Sequence, residues 1–226
     1  FRRVLFRSAV YLVDVMGHGV GAALHASALQ SALLHQLLPD CDFKDPSCVY
    51  KSLNKRFPMD AHGGRFFTMF YAAIDLETRK IRYVNGGHPP PFIIGGFSGP
   101  RTLDATTTIV GIGESSDFPI GEETLQANEH LWIYSDGAIE INDSSGQELG
   151  INGFRQATSV VMSANPENPT GYLLEARSCS TEHAVGPEWD SDGTASTEAS
   201  VGMDDALADK RSSHSAVLCV IQFEML

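Results

Sequence analysis

The sequence predicts an α+β domain built on antiparallel sheets. Two aromatic and β-branched runs, Phe66 to Leu76 and Lys80 to Val84, flank the polar turn Glu77-Thr-Arg-Lys80. A connection this short joins antiparallel strands as a hairpin, because parallel strands need a long crossover. Further short apolar runs are scattered along the chain without the regular strand-helix alternation of a parallel β-α-β wheel.

In chain order, Ala9 to Val15 (AVYLVDV) is short, apolar and β-branched, and reads as a buried strand. Met16-Gly-His-Gly19 turns. Val20 to Leu38 is rich in Ala and Leu and predicts a largely buried helix, stopped by Pro39. Cys48 to Phe57 predicts a second, shorter helix. After the hairpin come Asn85-Gly-Gly-His-Pro-Pro-Pro91 and then Phe92 to Gly95, read as an edge-like strand because proline cannot donate to a ladder. Thr108 to Gly113 is a short apolar segment. His130 to Ser135 is a strand closed by Asp136-Gly137, Ile151 to Met162 a helix, and Ser215 to Phe223 a final strand. Between Ser163 and Ser213 apolar periodicity fades and Pro, Gly, Ser, Thr, Asp and Glu dominate, which predicts a flexible acidic segment.

Residues 1–8 carry three of the 16 Lys+Arg and include no initiator Met. They read as a non-native leader, translated adapter joined to a natural fragment, so that residues 9–226 form a single domain lacking its first elements.

The formal net charge of -12 disfavours nucleic acid and anionic membranes as partners. Cys41, Cys48, Cys179 and Cys219 form no C-x-x-C pair and no zinc spacing, so free thiols in a reducing compartment are expected. With no membrane-length apolar run and no signal-peptide order, the expected location is the cytoplasm.

The chemistry concentrates at two strand ends. Asp14 and Asp136 each lie at or just past the end of an apolar strand, with glycine within three residues. A carboxylate there is costly unless it is paired, hydrogen-bonded or bound to a cation. Carboxylates brought together repel unless a metal offsets them, and hard oxygen ligands suit Mg²⁺ or Mn²⁺. The plain alternatives are a helix N-cap for Asp14 and a turn for Asp136.

These residues sit in segments that resemble a known family. Asp14-Val-Met-Gly-His-Gly-Val-Gly-Ala-Ala23 resembles the D-x-x-G-H-G-x-x-A-A motif of PPM-type phosphatases, in the bacterial branch of the sporulation stage II E protein and the stress-response regulator phosphatases. Phe67-Thr-Met-Phe-Tyr71 with Tyr83-Val-Asn-Gly-Gly-His-Pro-Pro-Pro91 is similar to that branch's T-x-F-Y and Y-x-N-A-G-H-P-P-P segments. Leu131-Trp-Ile-Tyr-Ser-Asp-Gly137, with Glu140 behind it, resembles L-L-L-Y-T-D-G-x-x-E.

The resemblance implies an αββα sandwich of two antiparallel sheets flanked by helices, and two divalent cations, Mn or Mg. Asp14 would bridge both cations, Asp136 would bind one, and the Val15 carbonyl would be a further ligand. It implies hydrolysis of phosphoserine or phosphothreonine on a bacterial regulatory protein, such as an anti-anti-sigma factor, by a metal-bound hydroxide. An upstream sensor or receiver domain would control it. His18, between two glycines, is a candidate for protonating the leaving oxygen, against a plain turn or hydrogen-bonding role. His88 reads as structural, fixing its loop.

The sequence departs from the family at two places. The upstream G-G-D-x-Y-D-like motif is absent, and Ser212-Ser213-His214-Ser215 stands where D-D-x-T is expected, with Asp204, Asp205 and Asp209 as possible substitutes. A pseudophosphatase that binds phosphoprotein without turnover is therefore a rival reading. A second is a dinucleotide fold, since Gly17-His-Gly-Val-Gly-Ala22 matches G-x-G-x-x-A between a strand and a helix.

Overall fold

The computed structural model describes residues 7–96, 99–112, 118–141, 148–164 and 218–222. The chain divides into two compact units, residues 1–151 with 215–226, and residues 152–214. The expected flexible segment lies almost wholly outside the described residues.

The first unit holds two four-stranded sheets in which every pairing is antiparallel. Its strands are β1 (Arg7–Val15), β2 (Phe67–Asp75), β3 (Lys80–Gly86), β4 (Phe92–Gly95), β5 (Arg101–Thr102), β6 (Gly121–Thr124), β7 (Glu129–Tyr134) and β8 (Leu218–Gln222). One sheet has the order β1-β2-β3-β6 and the other β5-β4-β7-β8. The helices α1 (Val20–Leu34) and α2 (Pro46–Arg56) connect β1 to β2. A third helix, α3 (Gly150–Ala164), runs from the end of the first unit into the second. The dinucleotide reading fails here: the strand that follows α1 and α2 returns antiparallel to β1, so among the described residues that fingerprint has no parallel β-α-β unit to carry it.

Side chains alternate across a strand, and this alternation builds two cores. Leu12, Phe70, Ala72, Ile74, Ile81 and Tyr83 of the first sheet meet Ile93, Leu131 and Ile133 of the second, which forms the interior of the sandwich. The opposite face of the first sheet presents Tyr11, Val13, Val15, Phe67, Met69 and Tyr71 to Leu29, Leu33, Val49, Tyr50 and Leu53 of α1 and α2. The helix layer over this sheet and the two antiparallel sheets agree with the α+β expectation.

Several boundaries differ from the sequence reading. β1 begins at Arg7, so two residues read as leader pair in the ladder, Arg7 with Asp75 and Ser8 with Ile74. α1 stops at Leu34, five residues ahead of Pro39. Leu37 N–H donates to the Ala32 carbonyl at 2.9 Å and Gln36 N–H to the Leu33 carbonyl at 3.2 Å, with Gln36 left-handed at φ 51°. This pair of bonds is a Schellman ending. α1 is also less buried than its Ala and Leu content suggests, since Val20 and Leu24 are 77% and 67% exposed. α2 starts at Pro46 because Asp45 caps it, accepting from Ser47 N–H at 3.2 Å. β4 lies between β5 and β7 and is not an edge strand; Pro89, Pro90 and Pro91 precede the ladder and cost it no donor. The β2–β3 turn is held by Asp75, whose Oδ1 accepts from Glu77 N–H (3.1 Å) and Thr78 N–H (3.0 Å).

His25 of α1 is buried against Phe57, Phe67 and His62, with ring centroids 5.3, 6.0 and 4.9 Å away. Burial lowers its pKa, and His62 and Arg65 push it the same way. A base whose folded pKa falls below its unfolded value stabilises the fold above the ordinary imidazole range, and that contribution is lost as pH drops through the folded pKa. Thermal unfolding followed from pH 7 downward should therefore decline less steeply in His25→Phe than in the wild type.

Candidate metal centre

β1 delivers Asp14 to one end of the sandwich interior. Val10 and Leu12 face the second sheet, and with a period of two Asp14 continues that face. Across the ladder Asp14 pairs with Thr68, which continues the inward row of Phe70 and Ala72. Side chains directly opposite on one face of a sheet are neighbours. In β7, Leu131 and Ile133 face inward while Trp132 and Tyr134 turn outward around Phe92, with ring centroids 6.2 and 5.5 Å from it. The strand ends at Tyr134, buried Ser135 follows, and Asp136 opens a single 3₁₀ turn (Asp136–Ala138). Asp136 Oδ1 accepts from Gly137 N–H at 2.7 Å, and its carbonyl accepts from Glu140 N–H at 3.0 Å.

His88 connects these two strand ends. Its ring is 2% exposed, and Nδ1 lies 3.1 Å from Thr68 Oγ1, the side chain opposite Asp14. Burial pushes the ring pKa down to about 4, while the Tyr134 carbonyl and the Asp136 carboxylate pull it the other way. The imidazole is therefore neutral at pH 7, and its Nδ1 bonds the β2 residue opposite Asp14.

The loop carrying His88 is fixed by Asn85, which is fully buried. Asn85 Oδ1 accepts from His88 N–H at 3.1 Å, and Nδ2 donates to the Leu103 carbonyl at 3.4 Å. Its own N–H donates to Thr106 Oγ1 at 3.1 Å, and its carbonyl accepts from Thr106 and Thr107 N–H at 2.9 and 3.1 Å. Tyr134 O–H reaches the Pro90 carbonyl at 3.0 Å and closes the loop onto β7. Gly87 is left-handed at φ 66°. A Cβ at Gly86 would run into the Tyr50 ring and hydroxyl, and that hydroxyl itself donates to the Thr108 carbonyl. Gly86→Ala should cost about 1–3 kcal/mol by overpacking, read as a lowered midpoint in denaturant; Gly86→Ala with Tyr50→Phe should recover part of it.

The remaining candidates fall as follows. Val15 closes β1 opposite Phe67, and Met16 N–H continues the pairing to the Phe66 carbonyl at 3.0 Å. His18 is exposed, between Gly17 (φ 95°) and Gly19 (φ 82°), on the loop between Asp14 and α1. Asp204, Asp205, Asp209 and the Ser212-Ser213 stretch lie outside the described residues. The sequence reading assigned no role to Thr68, Asn85 or Tyr134. Asn85 and Thr68 stand inside the quoted motifs, but only the register and the loop fold reveal what they hold.

Divalent cations fit this end of the sandwich on the chemistry of its donors. Asp14 and Asp136 are half-buried hard oxygen donors beside a neutral ring that brings no charge to offset them. Among the described residues no group of three or more His, Cys, Asp or Glu side chains is gathered for a metal ion.

The two-sheet antiparallel sandwich is a fold shared with solved phosphatase-domain structures. The RsbU and RsbW domains of a Mycobacterium tuberculosis protein superpose with a TM-score of 0.62 at 24% identity, covering 77% of this chain and 48% of theirs. The PP2C phosphatase domain of SpoIIE from Bacillus subtilis, solved with a fragment of its regulatory domain, superposes with a TM-score of 0.58 at 20% identity over 77% of this chain and 50% of that one. The family model for Stage II sporulation protein E (SpoIIE) matches residues 6–183, and the chain belongs to that family. Among curated relatives, the phosphoserine phosphatase RsbU of Bacillus subtilis (strain 168) is 28% identical over 138 residues, 61% of this chain and 40% of RsbU. The phosphoserine phosphatase RsbP of the same organism is 28% identical over 138 residues, 59% of this chain and 34% of RsbP. The chain thus spans less than half the length of either.

Proposed function

We propose that this chain is a protein serine/threonine phosphatase domain that uses two divalent cations, Mn²⁺ or Mg²⁺, to hydrolyse phosphoserine or phosphothreonine on a bacterial regulatory protein. The observation that carries the reading is the convergence of the Asp14 and Asp136 strand ends on His88. Relatives named phosphoserine phosphatases support the reaction class.

Asp14, Asp136 and the Val15 carbonyl would hold the cations. When bound, these would supply positive charge to the phosphoryl oxygens and acidify water for in-line attack at phosphorus. The protein's own part is to aim both carboxylates from the ends of paired strands. His88, neutral at pH 7, bonds Thr68 opposite Asp14 and adds no cation of the protein to compete with the metals. His18, exposed on the glycine-flanked loop, is free to approach the leaving oxygen and protonate it.

An anti-anti-sigma factor is the proposed substrate, in the cytoplasm, with a sensor or receiver domain as controller. The Mycobacterium tuberculosis neighbour carries RsbU and RsbW domains in a single protein, in keeping with regulators of this kind. Among the described residues no helix is long and apolar enough to cross a membrane. Ser212-Ser213 in place of the D-D-x-T aspartates favours one second reading, a pseudophosphatase that binds phosphoprotein without turnover.

One experiment separates the two. Hydrolysis of p-nitrophenyl phosphate and of a phosphoserine peptide is measured with Mn²⁺, with Mg²⁺ and with EDTA, beside a thermal shift with each metal. Turnover abolished by EDTA supports the phosphatase. A metal-dependent shift with phosphopeptide binding and no turnover supports the pseudophosphatase, and neither shift nor turnover removes the metal centre.

A further inference from the structure

The connection from α1 to α2 brings two thiols together in a way the metal centre does not use. Cys48 lies in the first turn of α2, and its Sγ is 4.0 Å from the carbonyl of Asp40, the residue before Cys41. The Cys41 sulfur is within hydrogen-bonding reach of Cys48 and of Ser52, one helical turn further along α2. Cys41 therefore rests on the helix face made by positions 48 and 52, which point the same way at a spacing of four. Both thiols are free and partly exposed, so oxidants have access to the pair.

We infer that Cys41 and Cys48 form a reversible dithiol site, closed by a hydroperoxide into an intrachain disulfide that pins the α1–α2 connection to α2.

The chemistry balances in two steps. The Cys48 sulfur attacks the peroxide oxygen, the O–O bond breaks, water or an alcohol leaves, and Cys48 carries a sulfenic acid. The Cys41 sulfur then attacks the Cys48 sulfur, the S–O bond breaks, and the hydroxide departs with the Cys41 proton as water. Two thiols lose two protons and two electrons, and the peroxide takes them up. The order follows from Cys41 itself. Burial first, then Cys48, pushes its thiol up to about 12, so it enters as the second sulfur.

The closed form would act on the fold through Phe43. Its carbonyl, two residues from Cys41, accepts from the Tyr71 hydroxyl of β2 at 2.8 Å. The segment that the disulfide tightens is thus already anchored to the strand bearing Thr68.

The test uses the whole 226-residue chain. It is treated with hydrogen peroxide, alkylated, and cut with trypsin after Lys44, which lies between the two cysteines. The expected product joins the peptides Ser8–Lys44 and Asp45–Lys51, is two hydrogens lighter than their sum, and separates on reduction with dithiothreitol. In Cys41→Ser the same dose should leave a sulfenic acid at Cys48 that dimedone traps, and in Cys48→Ser Cys41 should stay alkylatable. Circular dichroism of each variant confirms that it has folded. Two results would overturn the inference: Cys48 passing to sulfinic acid while Cys41 remains alkylatable, or either cysteine joined preferentially to Cys179 or Cys219. The readout is mass and connectivity, so it stands apart from whether the chain hydrolyses phosphate.

Discussion

Asp14→Asn is expected to lower Mn²⁺-dependent hydrolysis of p-nitrophenyl phosphate by about 10²–10³-fold, the range seen when a group stabilising transition-state charge is removed. The substitution keeps the shape of the side chain and takes away its charge. Asp14 is half-buried at the end of a strand that is held by its ladder to β2 and by apolar packing, so the fold should survive. Asp136→Asn should behave alike. Because both carboxylates would serve one ion cluster, the double variant should be little worse than either single one. The check is a thermal shift with Mn²⁺ beside the kinetics: each single variant should lose the shift as well as the rate. Wild-type turnover with an unaltered Mn²⁺ dependence in Asp14→Asn would be incompatible with a centre at this end of the sandwich.

The second large effect is expected at a residue that touches neither carboxylate. Asn85→Ala removes an amide buried to 0% exposure that accepts from His88 N–H and donates to the Leu103 carbonyl. Two buried backbone groups would lose their partners, which costs about 1–3 kcal/mol each. A drop of about 2–6 kcal/mol in unfolding free energy follows, enough to be plain in urea denaturation. Because the same bond positions His88, the rate should fall further than the folded fraction alone explains. A destabilised variant whose folded fraction turns over at the wild-type rate would leave Asn85 a purely structural role and detach the loop from catalysis.

The strands were legible where one face is apolar. AVYLVDV, FTMFYAAID and EHLWIY carry their burial in their letters, and the hairpin follows from the brevity of its turn. The two acidic strand ends were legible for the same reason, as polar residues in apolar company. What sequence alone could not give was pairing. Gly121-Glu-Glu-Thr124 is four polar residues that become β6 only because β3 offers a ladder to join, and Arg101-Thr102 is too short to show any period. β4 looked like an edge because three prolines precede it, yet the strand's own donors begin after them. The Ala and Leu content of α1 suggested a largely buried helix, whereas the sheet has room for one face: Ala22, His25, Leu29, Ala32 and Leu33 are covered and Leu24 is not. The end of α1 depended on Gln36 taking a left-handed conformation that composition does not announce. Thr68 and Asn85 stayed silent because their roles are relations: a cross-strand partner and a loop to hold.

The pairing of Asp14 with Thr68 also sets a parity rule for this strand. Deleting or inserting one residue between Val10 and Asp14 would rotate the carboxylate into the layer occupied by Val13 and Val15, against Leu and Tyr side chains of the helices, while an apolar residue took its place at the far end. Two residues gained or lost would restore the facing and shift only the reach. Natural variation and engineering in this strand should therefore tolerate length changes in even steps before odd ones.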